Sequence, residues 1–405
     1  MPQVNKLRTA QPGGPGGDPA PLSSARLRTA LTVFFALDGF LFAGWVVRIP
    51  AIKQQTGATA STLGLALLGV SAGAVITMTL TGRLCRRHGS HAVTVVCAVL
   101  LSLSIALPAQ TDSVLTLGLV LLLFGAAYGG LNVSMNSAAV DLIASLRRPV
   151  MPSFHAAFSF GGMAGAGLGG LVAGGLSPTA HLFALMGIGL LVTAVTAPVL
   201  LRGRAAPEPE PVPHATEQPN VTDVPRRRVV ILFGVIALCT AYGEGALAEW
   251  GALHLTQDLG AAPGLAAAGY SLFALTMGIG RLTGTALLER FGQTRTLVAG
   301  GSTAAAGMLL GALAPAVWPA LLGFAVTGLG LANIFPVAVG RAGALAGPGG
   351  VAAASTLGYG GMLLGPPVIG FLADWSSLPV ALTTVTLLAA TAAALGWAAR
   401  NATNT

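Results

Sequence analysis

The 405-residue chain is 54% hydrophobic and only 8% charged, against roughly 25% charged in an ordinary soluble domain, which excludes a water-soluble globule. Its mean hydropathy of +0.77 means more apolar side chain than one soluble core can bury, since such cores stop growing near ~250 to 300 residues, so lipid is the expected solvent. The net charge of +8 does not point to nucleic acid, because most Lys and Arg residues fall in short loops between apolar runs, where they orient a membrane protein.

Residues 1–26 are Gly/Pro-rich and read as a disordered tail. The apolar run after them is long and carries Asp38, so it reads as a retained first helix and not a cleaved signal peptide. A helix needs ~20 apolar residues to cross the bilayer core. On that criterion spans are predicted near 27–47, 62–83, 91–109, 114–142, 152–175 and 180–201. Residues 202–228, with Pro-Glu-Pro-Glu-Pro at 207–211 and three arginines at 226–228, read as a flexible linker. Six further spans follow near 229–251, 266–288, 295–315, 317–341, 351–372 and 378–399, with 400–405 as a tail. The expected fold is an all-α membrane protein of twelve transmembrane helices, in bundles 27–201 and 229–399. Cys85, Cys97 and Cys239 have neither CxxC nor metal spacing, so no disulfide framework, metal or cofactor is expected.

Charge sets the expected orientation. With the N-terminus inside, Arg26, Arg28, Arg83, Arg86, Arg87, Arg147, Arg148, Arg202, Arg204, Arg226, Arg227, Arg228, Arg290, Arg295, Arg341 and Arg400 are all cytoplasmic, and only Arg48 and Lys53 face out. Both termini and the linker are therefore expected in the cytoplasm of a plasma-membrane protein.

The two halves share landmarks in the same order. Arg87-His88-Gly89 after span two matches Arg290-Phe291-Gly292 after span eight, Asn132 matches Asn333, and Phe160-Gly161-Gly162-Met163 matches Tyr359-Gly360-Gly361-Met362. A looser match joins Ala43-Gly44-Trp45 to Glu249-Trp250. Such order with the same inside-to-outside sense indicates a parallel duplication of six helices.

Twelve spans in a six-plus-six duplication resemble the major facilitator superfamily. The segment Gly82-Arg83-Leu84-Cys85-Arg86-Arg87-His88-Gly89 is similar to its signature Gly-x-Leu-x-Asp-Arg-x-Gly, and Leu287-Leu288-Glu289-Arg290-Phe291-Gly292 is the second-half copy. Arg86 stands where the family has Asp, while Glu289 keeps an acid in the second copy, which the resemblance makes a gating element with Arg87, Arg290, Gly89 and Gly292. A narrower resemblance rests on Met135-Asn136 with Asp141, on Met151-Pro152-Ser153-Phe154-His155, on Phe158-Ser159-Phe160-Gly161-Gly162, on Glu244-Gly245-Ala246 with Glu249-Trp250, and on Met277-Gly278-Ile279-Gly280-Arg281. These look like the branch of YbjJ-type inner-membrane proteins and the rhizopine-transport protein of rhizobia, and more distantly fucose permease. That resemblance implies a sugar-like or polyol-like solute coupled to protons.

Ionisable groups deep in the bilayer are costly and therefore informative. Asp38 lies ~16 Å into the first span, near the midplane, on a face continued by Phe34, Leu41 and Trp45. An acid there suits reversible protonation, against the alternative of a permanent charge held by polar neighbours. Glu244, between Gly243 and Gly245, is the second candidate for proton coupling, and Glu249 is expected at the outer water boundary. Arg281, ~10 Å from the cytoplasmic end, reads as an ion-pair or gate residue. Asp141 reads as a latch beside Arg147 and Arg148.

Tyr128, Asn132 and Asn136 recur at spacings of four and make one polar stripe, facing either a cavity or another helix. With Phe34, Trp45, His155, Ser159, Asn333 and Tyr359 they form the candidate substrate-binding set, in which His155 and Ser159 also suit a proton relay. Pro336 is expected to kink its helix. Gly161, Gly165, Gly169 and Gly170 form a small-residue face for tight packing. They also resemble the antiporter signature of drug exporters, with Ala166 in place of its Pro and Gly365-Pro366 in the corresponding place of span eleven.

The expected function is secondary transport of a small organic solute by alternating access, coupled to protons, by a protein acting as a monomer. The alternatives are a proton-antiport efflux pump for a drug or secondary metabolite and, remotely, a non-transporting membrane sensor. An enzyme is not expected, since HExxH and paired metal ligands are absent from the spans, and no Gly-x-x-x-x-Gly-Lys-Ser/Thr loop offers ATP drive.

Overall fold

The computed structural model describes residues 24–146, 150–203 and 224–400. Residues 1–23 and 401–405 of the expected tails, 204–223 of the linker, Arg147 and Arg148 lie outside the described residues, whereas 24–26 and 224–228 are helical, in the first turns of α1 and α8, and not tail or linker. Helices dominate the described residues: α1 (Ser24–Val46), α2 (Ile49–Thr56), α3 (Ala60–His88), α4 (Ser90–Ser104), α5 (Val114–Leu146), α6 (Met151–Val172), α7 (Pro178–Arg202), α8 (Val224–Leu253), α9 (Pro263–Leu313), α10 (Val317–Leu331), α11 (Ile334–Trp375) and α12 (Leu378–Ala398). Among the described residues ten helices are long and apolar enough to cross a membrane.

Helix number and membrane crossings do not coincide one to one. The expected spans eight and nine are both in α9, a run of 51 residues that reverses at Gly292, whose φ of 76° and ψ of 168° no β-carbon-bearing residue adopts easily. Span ten breaks at Ala332 and Asn333, and its second part continues through α11 into span eleven. Gly89, with φ 82°, turns the chain between α3 and α4 in the same left-handed region, so the two glycines of the repeated loop do the same work. The short α2 was not expected: Pro50 in its first turn favours a helix start, and Gly57 at φ 64° stops it.

Helices α1 and α3 to α7 form one bundle and α8 to α12 the other, with α6 against α9 and α3 against α11 joining them. Duplication is visible in the packing. Gly161 and Gly165 of α6 lie against the carbonyls of Ala36 and Phe40 of α1, and Gly361 of α11 lies in the same way against the carbonyl of Leu238 of α8. A side chain at any of these positions would push the helices apart. Across the bundles, the Ser71 hydroxyl donates to the Met362 carbonyl at 3.2 Å and the Ser271 hydroxyl to the Met163 carbonyl at 2.9 Å. These two reciprocal bonds tie the faces that must slide if the halves rock.

The outside of the molecule is apolar. Leu171, Leu115, Val195 and Leu387 are exposed by 65% or more, as lipid-facing side chains are. Inside, Phe34, Phe35, Trp45, Phe124 and Phe154 fill the first bundle, and Phe233, Trp250 and Phe324 the second.

One end of the molecule is latched. The four free N–H groups that open α3 are all satisfied: those of Thr59 and Thr62 by each other's hydroxyls, and those of Ala60 and Ser61 by the Asp374 carboxylate of α11, at 3.0 and 2.8 Å. Lys53 of α2 donates to Gln257 at 3.2 Å across the same seam; partial burial lowers its ammonium from the usual lysine range, and the nearby Asp374 and Asp258 oppose that. A capping acid is worth about 1 kcal/mol, or roughly fivefold in population. Asp374→Ala is therefore expected to shift the protein toward a form open at this end. Spin labels on the exposed Gln54 and Ser376 would read the change as a longer distance distribution, and an unchanged distribution would count against the latch.

Candidate functional site

Between the bundles lies a cavity of about 580 Å³, within the ~300 to 1,000 Å³ of small-molecule sites. It reaches toward the end at which α6 begins, where Met151, Leu288, Val339 and Gly340 line it. Its polar lining comes from both halves: Tyr128, Asn132 and His155 from the first, Glu244, Arg281, Thr285, Asn333 and Tyr359 from the second. Phe35, Phe158, Phe335, Met135 and Met362 supply apolar wall.

At its floor Arg281 of α9 binds both halves. Its Nη2 approaches Glu244 Oε2 of α8 at 3.2 Å and Oε1 at 3.4 Å, and its Nη1 donates to Ser159 Oγ of α6 at 2.9 Å. The Ser159 hydroxyl in turn donates to the His155 carbonyl at 3.2 Å. Arg281 thus forms an ion pair whose partner is Glu244. Beyond this bridge, toward the latched end, lies a smaller cavity of about 70 Å³, which shares Tyr128, Phe158, Glu244, Arg281 and Met362 with the larger one.

The polar stripe of α5 divides. Tyr128 and Asn132 line the large cavity, with the Tyr128 ring stacked on Phe42 at 5.1 Å. Asn136 does not line it; its amide donates to the Asn132 carbonyl one turn back on the same helix, at 2.8 Å, so it meets neither the cavity nor another helix through this bond. Asn333 sits at the break between α10 and α11. Its amide donates to the Gly280 carbonyl at 2.8 Å, and Gly284, bare of a side chain, leaves it the room. Pro336 follows in the first turn of α11, where it also lines the cavity and lacks the N–H that would continue the ladder.

Several expected contacts are corrected. Phe34 and Trp45, placed in the substrate set, are fully buried and line neither cavity; Trp45 packs on Phe124 at 6.3 Å. Their α1 face turns into the bundle, and Phe35 and Phe42, on its flank, reach the large and the small cavity. Glu249 is not at a water boundary: it is 6% exposed and lines the small cavity with Glu244, despite their spacing of five. Arg48 does not face out into water either; it is buried, its Nε donating to His181 at 2.8 Å.

Asp38 is wholly buried, and neither carboxylate oxygen has a hydrogen-bond partner among the described residues. Its helix face, with Leu31, Phe34, Leu41 and Trp45, is core. At the loop motifs, Arg87 and Glu289 are exposed and make no ion pair among the described residues, and Arg290 lies over the Phe291 ring at 5.5 Å. Asp141 accepts the Ser90 hydroxyl at 3.2 Å. Reasoning from single helices missed Phe35, Phe42, Thr285, Tyr270 and the Ser71 and Ser271 bonds, since each depends on which neighbour the helix meets.

Comparison with known proteins gives a consistent result. The family profile described as Major Facilitator Superfamily matches residues 29–252. An uncharacterised MFS-type transporter of Yersinia pestis is 33% identical over 92% of this chain and 94% of its own length. The membrane protein MosC of Rhizobium meliloti is 30% identical over 85% of this chain and 83% of its own. Among solved structures, a point mutant of the nucleoside transporter NupG superposes with a TM-score of 0.71, covering 92% of this chain and 98% of that one, at 15% identity, a likeness of fold.

Proposed function

The chain belongs to the major facilitator superfamily, and on that premise we propose that it moves a small, neutral, hydroxyl-rich solute across the plasma membrane by alternating access, coupled to protons. The observation that carries this reading is the large cavity between the bundles. Its one charged pair, Arg281 with Glu244, is internally balanced, while amides, phenols and a threonine hydroxyl from both halves offer donors and acceptors on several sides. Aromatic rings beside them suit the apolar face of a sugar or polyol.

Proton coupling is supported by Asp38. An ionised carboxylate without a partner in such surroundings costs several kcal/mol, so binding a proton is the inexpensive way to keep an acid there. Glu244 is held by Arg281 in an ion pair. The arginines at the open end support placing that end, and both termini, in the cytoplasm; the cavity then faces inward.

A second reading, efflux of an amphiphilic drug or secondary metabolite, draws on the Phe and Met side of the same cavity. One experiment separates them. Detergent-purified protein is heated at two pH values with sugars, polyols and amphiphilic drugs, and a ligand of the folded state raises the melting temperature. At a hundredfold excess over Kd the gain is about 2.7 kcal/mol. Stabilisation by a sugar or polyol is expected; stabilisation by drugs alone favours efflux, and stabilisation by neither class overturns the solute assignment.

A further inference from the structure

The small cavity holds an acid for which the transport scheme has no use so far. Glu249 is 6% exposed, and its Oε2 has no hydrogen-bond partner among the described residues. It stands five residues beyond Glu244 on α8, ~7.5 Å further toward the latched end. At about 70 Å³ the cavity has room for a few water molecules. Both bundles line it, with Ser71, Tyr128 and Ser159 on one side and Tyr270, Met277 and Arg281 on the other. The Arg281 bridge to Glu244 and Ser159 lies between it and the large cavity, and the seam of Asp374 and Lys53 lies above it.

We infer that Glu249 is a second proton-binding carboxyl of the transport cycle, reached through the small cavity from the face of the membrane opposite the large one. The inference rests on the proton-coupled reading above. When the bundles rock about the α6–α9 and α3–α11 seams, the space that opens on the latched side is the one Glu249 lines. A proton from water on that side adds to a carboxylate oxygen, and the acid so formed is neutral when the cavity closes again. On return the proton passes the Arg281 bridge and leaves to water through the large cavity, so that it crosses from one face of the membrane to the other.

The charged and titratable groups around it are few. Within the small cavity they are Tyr128 of α5, Glu244 of α8, and Tyr270 and Arg281 of α9. Helices α10 and α12, which also pack on α8, carry none. α6 carries His155 and α11 carries Arg341, Tyr359 and Asp374, of which His155 and Tyr359 line the large cavity and Asp374 caps α3. α1 brings Arg26, Arg28 and the core acid Asp38, and α2 brings Lys53, bonded to Gln257. His254 beyond α8 is taken by Asp258 at 2.8 Å and the Gly311 carbonyl at 3.1 Å. Arg281 is the one cation facing the small cavity, and it is already engaged by Glu244 and Ser159.

The test is infrared difference spectroscopy on the full chain in liposomes, with the proton as the only ligand and the pH stepped. The wild type is expected to show a protonated-carboxyl band that gives way to carboxylate as the pH rises. Growth on glutamate labelled with carbon-13 at the side-chain carboxyl should displace one component of that band, assigning it to glutamic acid without any substitution. That component should vanish in Glu249→Gln and persist in Glu244→Gln, while Glu249→Asp should replace it by an unlabelled band with a shifted midpoint. A wild type without a glutamic-acid component, or one that survives in Glu249→Gln, overturns the inference. If an unlabelled component then titrates and is lost in Asp38→Asn, the proton-coupled reading stands without Glu249; if no carboxyl titrates, both fall.

Discussion

Asp38→Asn is expected to abolish solute accumulation driven by a pH gradient while leaving exchange of labelled for unlabelled solute intact. The two readouts part because only net uphill movement requires the proton. One pH unit is worth about 1.4 kcal/mol, so with one proton per solute it supports a roughly tenfold concentration ratio across the membrane. In the variant that ratio should fall to about one. Asparagine keeps the size of the side chain and is neutral, as a protonated Asp38 would be, so the helix face with Phe34, Leu41 and Trp45 has little reason to repack. The measurement uses proteoliposomes and whichever sugar or polyol raises the melting temperature. Full accumulation in the variant would remove Asp38 from the coupling, and loss of exchange as well would mean that it holds structure instead.

The part of this site that the sequence already displayed follows from what a lone helix can reveal. A charge within an apolar run stands out whatever surrounds it, which is why Asp38, Glu244 and Arg281 were recognisable, and the repeat exposed Gly89 and Gly292 because both loops need the same backbone turn. The pairing of Arg281 with Glu244 was hidden, since 37 residues and a helix-to-helix contact separate them. Phase on α1 showed which residues share a face but not that the face of Phe34 and Trp45 is covered by α5 and α7, leaving Phe35 and Phe42 for the cavities. Glu249 was misplaced for a related reason. Distance from the end of an apolar run measures depth along one helix, and the latch of Asp374 on α3 closes that depth from above. Nor does hydropathy register a break in backbone direction inside an apolar run, so the interruption at Asn333 was hidden within span ten.

Arg281→Gln should give the largest loss among changes at the cavity floor, and the loss should be partly recovered by a second substitution. Removing the guanidinium leaves the Glu244 carboxylate without its partner and takes the Ser159 hydroxyl's donor away, unlinking α9 from both α8 and α6 at once. Breaking a fully buried pair costs ~3 to 5 kcal/mol, but side-chain exposures of 15% and 24% let the cavity's water offset part of it, so about 1 to 3 kcal/mol is the expected range. Glu244→Gln in the same chain removes the stranded charge. The double variant should then melt closer to the wild type than Arg281→Gln alone, the non-additivity that marks two groups in direct contact. Solute binding responds differently: it should stay weak in the double variant, because the donors that Arg281 presents to the large cavity are not restored. Recovery of both properties would assign the pair to stability alone, whereas additive losses would mean that Arg281 and Glu244 do not act on each other in the membrane-embedded protein.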